Sequence, residues 1–126
     1  HPDFSLLSGD DESFLAFLQA GGDGIISVTC NIVPKVLAEI CNYARDKNWS
    51  KCIDLNNKLI KLHQDLFVVS NPMPVKWALY YLGLITSAEC RLPLLPLEEQ
   101  HHEKIINALA QANMLKNNNV NNTNLV

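Results

Sequence analysis

Leu6-Leu7-Ser8-Gly9-Asp10-Asp11, followed by Gly21-Gly22-Asp23-Gly24-Ile25-Ile26-Ser27-Val28-Thr29-Cys30-Asn31, decides how this chain folds. Residues 4–8 form a short apolar run that stops at Gly9-Asp10-Asp11, the pattern of a buried strand running into a turn. Phe14, Leu15, Phe17 and Leu18 then recur at helical spacing. Asp11 is placed to cap that helix, and Gly21-Gly22 to end it. Residues 25–29, rich in β-branched side chains, read as a second strand. Two strands joined through a helix in so short a span predict a compact βαβ unit and a parallel pair.

Outward from this unit the pattern is helical. Val36, Leu37, Ile40, Cys41 and Ala44 repeat at intervals of three to four residues, and so does the stripe from Cys52 to Phe67, with Ser50 as its expected cap. Asn71-Pro72-Met73-Pro74 breaks that helix, since proline removes a donor and turns the residue before it away from helix. Residues 75–82 predict a short helix ending at Gly83. Residues 91–97 read as extended, and residues 98–115 as a last helix with acidic residues in its first turn. Residues 116–126, mostly Asn, have little to bury and are expected to form a disordered tail.

This arrangement is physically incomplete. A parallel pair normally belongs to a larger sheet covered by helices on both faces, and two strands alone are marginal in water. The expectation is therefore that the two strands complete a sheet supplied by another piece of chain.

The 126 residues are 48% apolar and 18% charged, enough for a core, and the net charge is -3. The basic residues are scattered, which argues against nucleic acid as a partner. No apolar run approaches the roughly 20 residues of a membrane span, and no signal peptide is visible. Cys30, Cys41, Cys52 and Cys90 form no C-x-x-C pair and read as reduced, mostly buried thiols, so a cytoplasmic setting is expected.

The same strand-end motifs resemble the seventh and eighth strands of the dihydrodipicolinate synthase family, which usually has Ala where this chain has Cys30. Asn71-Pro72-Met73-Pro74-Val75-Lys76-Trp77-Ala78 resembles that family's N-P-x-P-V-K segment, and Arg91-Leu92-Pro93-Leu94 with Pro96-Leu97 resembles the stretch before its last helix. The resemblance covers residues 4–115. It implies an α/β fold, the C-terminal portion of a (β/α)8 TIM barrel followed by a helical region. Residues 1–45 would supply the last two βα units and residues 46–115 the helical region.

It also implies a lyase of lysine and diaminopimelate biosynthesis. In that reaction a lysine forms a Schiff base with pyruvate, and the enamine attacks L-aspartate 4-semialdehyde to give 4-hydroxy-tetrahydrodipicolinate. A desolvated lysine suits the chemistry because burial lowers its pKa and the iminium is an electron sink. The resemblance puts that lysine, the proton-relay tyrosine and a carboxylate-binding arginine upstream of His1, so the chain alone is expected to be inactive. It implies no cofactor, and the assembly it suggests is a homotetramer that includes the missing N-terminal barrel portion. A sister pyruvate aldolase such as N-acetylneuraminate lyase, or a non-catalytic remnant that pairs with a complete barrel, is the alternative.

Barrel chemistry sits at the C-terminal ends of strands. The resemblance therefore carries Gly9 and Ile26 over as substrate-binding positions, Ile26 chiefly through its backbone. Asp10 is divided between facing the second substrate and closing a turn, and Asp11 is read as a helix cap. Asn31 is assigned turn chemistry. None of the lysines ends a predicted strand; Lys76, though it lies in a motif, is read as a surface or interdomain ion pair. Glu98, His101 and His102 could be drawn around a metal but lack a third well-spaced ligand, and a solvated helix start is the plainer reading. His63 and Phe67 share a helix face and read as a packed pair, while Trp49, Trp77, Tyr80 and Tyr81 are expected between helices.

Overall fold

A computed structural model describes residues 3–115, so the Asn-rich stretch expected to be disordered lies outside the described residues. Its elements run β1 (Leu7–Ser8), α1 (Phe14–Gln19), β2 (Gly24–Ile25), a 3-10 turn (Thr29–Asn31), α2 (Pro34–Arg45), α3 (Trp49–Asp65), α4 (Met73–Tyr81), a second 3-10 turn (Glu99–His101) and α5 (His102–Gln111). The strands pair in parallel, Leu7 opposite Gly24 and Ser8 opposite Ile25. The ladder is continued by Asp23 N donating to Leu6 O at 2.8 Å and Ile26 N donating to Ser8 O at 2.9 Å.

Both strands are shorter than the sequence predicts. The second was expected to reach Thr29, but Val28 has helical dihedrals (φ -72, ψ -43) and the chain turns into the 3-10 segment. The physical reason is that the Asp11 carboxylate captures the Val28 and Thr29 amides, which therefore do not serve a sheet ladder.

The helices follow the sequence more closely. Pro34 opens α2, where its missing N–H costs nothing. Asn48, not Ser50, caps α3, accepting from Lys51 N at 3.4 Å. Pro74 sits in the first turn of α4, so that helix begins at Met73 rather than at residue 75. Gly83, at φ +72, closes α4 as expected, with Leu84 N donating to Leu79 O. The last helix is shorter than residues 98–115: it starts with a 3-10 turn and ends where Asn113 adopts φ +59 and Met114 N returns to Leu109 O.

α3 is the centre of the helical layer, packed between α2 and α5. Phe14, Leu37, Ile40, Leu59, Leu62, Leu66, Ile105 and Leu109 are buried there, together with Cys52. All four cysteines are free thiols. Asp65 on α3 is buried and stands 2.9 Å from Lys61 and 3.4 Å from Lys104 of α5, an ion-paired link between the two helices. Trp77 stacks on His102, tying α4 to α5, and on Tyr81 of its own helix, while Tyr80 and Tyr81, both expected between helices, are exposed.

The sheet is not covered in the same way. Phe4 is 68% exposed, Leu6 52%, Leu7 50% and Ile26 73%. Apolar residues in and beside the strands, which sequence marks for burial on both faces, thus stand open to solvent, although Ile25 packs against the core and Phe67, Leu92 and Leu95 are exposed elsewhere. Among the described residues no helix is long and apolar enough to cross a membrane.

Candidate functional site

Because β1 and β2 are parallel, their C-terminal ends lie side by side, and Gly9, Asp10 and Ile26 come to the same end of the sheet. A Cβ placed on Gly9 would meet no heavy atom within 4 Å, so the backbone there is open to approach. Ile26 projects an exposed side chain while its N–H is held by Ser8 O.

Asp10 takes the turn role, one of the two that sequence suggests for it, while Asp11 is not the expected helix cap. Asp10 is the turn former: its Oδ2 accepts Ser13 N at 2.9 Å and the Ser13 hydroxyl, and its own N–H donates to Ser8 Oγ at 3.1 Å. The bonds from Ser13 hold its carboxyl below the usual carboxylate range. Asp11 does not cap α1, whose capping position is Ser13. Asp11 is buried instead, and it reaches across to the segment after β2. Its carboxylate accepts Val28 N at 2.9 Å, Thr29 N at 3.2 Å and the Ser27 hydroxyl. Ser27 Oγ in turn accepts Cys30 N at 2.9 Å, and Asn31 Nδ2 donates to Val28 O at 2.9 Å, the turn chemistry expected of Asn31.

His63 joins this network from α3. Its Nδ1 lies 2.9 Å from Thr29 Oγ1 and 3.9 Å from Asp11 Oδ1, and the Phe14 ring meets it edge-on at 5.8 Å. Its Nε2 is buried with no hydrogen-bond partner among the described residues. Burial pushes the imidazole pKa below its ordinary value, and the negative charges of Asp11, Asp10 and Glu12 pull only partly the other way. The expected His63–Phe67 packed pair is therefore replaced: His63 packs on Phe14, and Phe67 is 46% exposed. Both still line a cleft of about 460 Å³ with Asp10, Glu12 and Gln64, where Gln64 Nε2 donates to Glu12 Oε1 at 2.8 Å.

The Asp11–His63 link was not legible as a site. Its only sequence trace is a histidine set between Leu62 and Leu66 on the apolar stripe of α3.

The other candidates resolve into structure. Lys76 Nζ donates to the Glu89 carbonyl instead of forming an ion pair. Among the described residues the lysines lie on helices or on the α2–α3 turn, away from the strand ends. Glu98 accepts from Gln100, while His102 donates Nε2–H to Leu97 O at 3.1 Å and stacks on Trp77. No three ligand-type side chains among the described residues converge on a metal position.

Residues 1–112 match the Dihydrodipicolinate synthetase family. The 4-hydroxy-tetrahydrodipicolinate synthase of Blochmanniella pennsylvanica is 46% identical over 117 residues, 93% of this chain and 39% of that protein. That of Nitrosomonas eutropha is 49% identical over 109 residues, 86% of this chain and 37% of that protein. Among solved structures, the chloride-inhibited dihydrodipicolinate synthase of Acinetobacter baumannii, complexed with pyruvate, superposes with a TM-score of 0.84 at 47% identity, covering 89% of this chain and 38% of that one. The Thermotoga maritima dihydrodipicolinate synthase gives 0.87 at 41% identity, covering 91% and 39%. The chain thus spans well under half the length of these relatives.

Proposed function

Because the chain belongs to the dihydrodipicolinate synthetase family, we propose that it forms the C-terminal part of a pyruvate-dependent aldolase, contributing the last two strands of a (β/α)8 barrel and the helical region behind them. The complete enzyme would condense pyruvate with L-aspartate 4-semialdehyde to 4-hydroxy-tetrahydrodipicolinate. In that reaction a lysine amine adds to the pyruvate carbonyl and loses water. The iminium then gives up a methyl proton to become an enamine, whose carbon attacks the aldehyde. The lysine comes from the barrel portion outside this chain, and this chain contributes the strand-end backbone at Gly9 and Ile26 and the Asp10 turn to the substrate side.

The observation that carries this reading is the open apolar sheet. Phe4, Leu6, Leu7 and Ile26 are exposed on a two-stranded parallel pair that has no independent reason to be stable. The remaining strands of a barrel are the partner that such a pair requires.

Borohydride trapping tests it. The chain is incubated with pyruvate and sodium borohydride, alone and together with the N-terminal portion of the Blochmanniella relative, and intact masses are read. The adduct is expected only in the mixture and only on the added portion. A stoichiometric adduct on a lysine of this chain alone would place the nucleophile here and overturn the assignment.

A further inference from the structure

The buried Asp11 carboxylate has no place in the chemistry just described, yet it organises the segment that carries Ile26. It takes three bonds from the residues immediately after Ile26, namely from the Ser27 hydroxyl and the Val28 and Thr29 amides. Thr29 Oγ1 is held by His63 Nδ1 at 2.9 Å, and His63 is wedged by Phe14. A carboxylate that accepts several donors in a buried setting fixes their positions more tightly than neutral acceptors do. Neither group is needed to end a strand: a turn residue at the surface would suffice, and Asp10 already closes its own turn.

We propose that Asp11 is a positioning residue for the pyruvate site, holding the backbone of residues 26–29 in place with His63 as its brace from α3. The proposal rests on the aldolase reading above. Asp11 touches no substrate, and its effect passes through the Ile26 backbone. Loss of that positioning removes binding shared by the ground and transition states, so it raises KM for pyruvate and leaves kcat nearly unchanged.

The test is steady-state kinetics of the complete enzyme, this chain continuous with its barrel portion, with three variants. Asp11→Asn keeps the shape but removes the charge and one acceptor, so the side chain can no longer accept from both the Ser27 hydroxyl and the two amides. Thr29→Val cuts only the His63 brace. Ile105→Val trims the core on α5 outside the network. Asp11→Asn is expected to raise pyruvate KM about tenfold with kcat within about twofold, Thr29→Val to do so by about threefold, and Ile105→Val to leave KM at the wild-type value while lowering the unfolding midpoint. Wild-type KM in Asp11→Asn, or an equal KM rise in Ile105→Val, overturns the proposal. Should Asp11→Asn fail to fold, Thr29→Val decides, and an unchanged KM there overturns it too. A wild-type enzyme that turns over no pyruvate sinks the aldolase reading itself, a result separate from any difference among variants.

Discussion

Replacing Phe4 and Leu6 together by serine separates the stability of this chain from its proposed association with the rest of a barrel. Burying a Phe or Leu side chain from full exposure is worth about 1.5–3 kcal/mol. Phe4 is 68% exposed and Leu6 52%, so that much of each side chain's burial is still available to a partner. Those fractions correspond to about 1–2 kcal/mol for Phe4 and about 0.8–1.6 kcal/mol for Leu6, together about 2–3.5 kcal/mol. At about 1.4 kcal/mol per tenfold, the double variant should bind the barrel portion about 30- to 300-fold more weakly.

The assay is a titration of the fluorescently labelled chain with the barrel portion, read by anisotropy, beside urea denaturation of the chain alone. Surface changes away from special features shift stability by no more than about 0.5 kcal/mol, so the denaturation midpoint of the double variant should stay close to wild type. Wild-type affinity in the double variant would refute the reasoning, because it would mean these side chains face water in the assembly as well. A large loss of stability in the isolated chain would refute it differently, by showing that the exposed face already contributes to this fold.

Three further outcomes follow from the helical layer and the strand-end network. Leu109→Ala, on the fully buried face of α5, should cost about 2–5 kcal/mol in urea denaturation. Gly83 sits at φ +72, where a Cβ is strained although no neighbour blocks it, so Gly83→Ala should cost about 1–2 kcal/mol, measured by thermal unfolding. The His63 pKa is lower in the folded chain than in the unfolded one, so the unfolded state binds the extra proton first. Stability is therefore complete above about pH 6.5 and falls as pH drops from there through the folded value. Denaturation midpoints on either side of that window should show the loss, and His63→Gln should flatten it; an unchanged slope in the variant would assign the dependence to other groups.

The helices and the parallel pair were legible because both rest on local periodicity. The stripe on α2 and α3, the proline breaks and Gly83 each leave a signal within a few residues of where they act. The strand-end chemistry was not legible, because its signals conflict at short range. An Asp ahead of a helix is a strong local cap signal, yet the partners of Asp11 lie 16 to 18 residues further along the chain. His63 was assigned to Phe67 because they share a helix face, but its partners Thr29, Asp11 and Phe14 come from three other segments. The second strand was overextended for the same cause: β-branched residues 28 and 29 carry strand propensity, and a carboxylate from outside the strand overrides it.

The placement of that network also decides which part of the chain governs which property. The helical layer packs through α2, α3 and α5 around Leu37, Ile40, Leu59, Leu62, Ile105 and Leu109, with Asp65 bridging to α5. The sheet packs on α1, and Ile25 of β2 joins the edge of the core. Two α3 side chains reach the segments that follow the strands through hydrogen bonds, His63 at Thr29 and Gln64 at Glu12, and neither does so at a strand residue. Packing losses on α5 should therefore appear first as lost stability, and changes at Asp11 first as a displaced strand end. Substitutions at Phe4 and Leu6 touch neither property and bear on association alone. The helical layer and the exposed residues beside the strands thus respond to substitution separately.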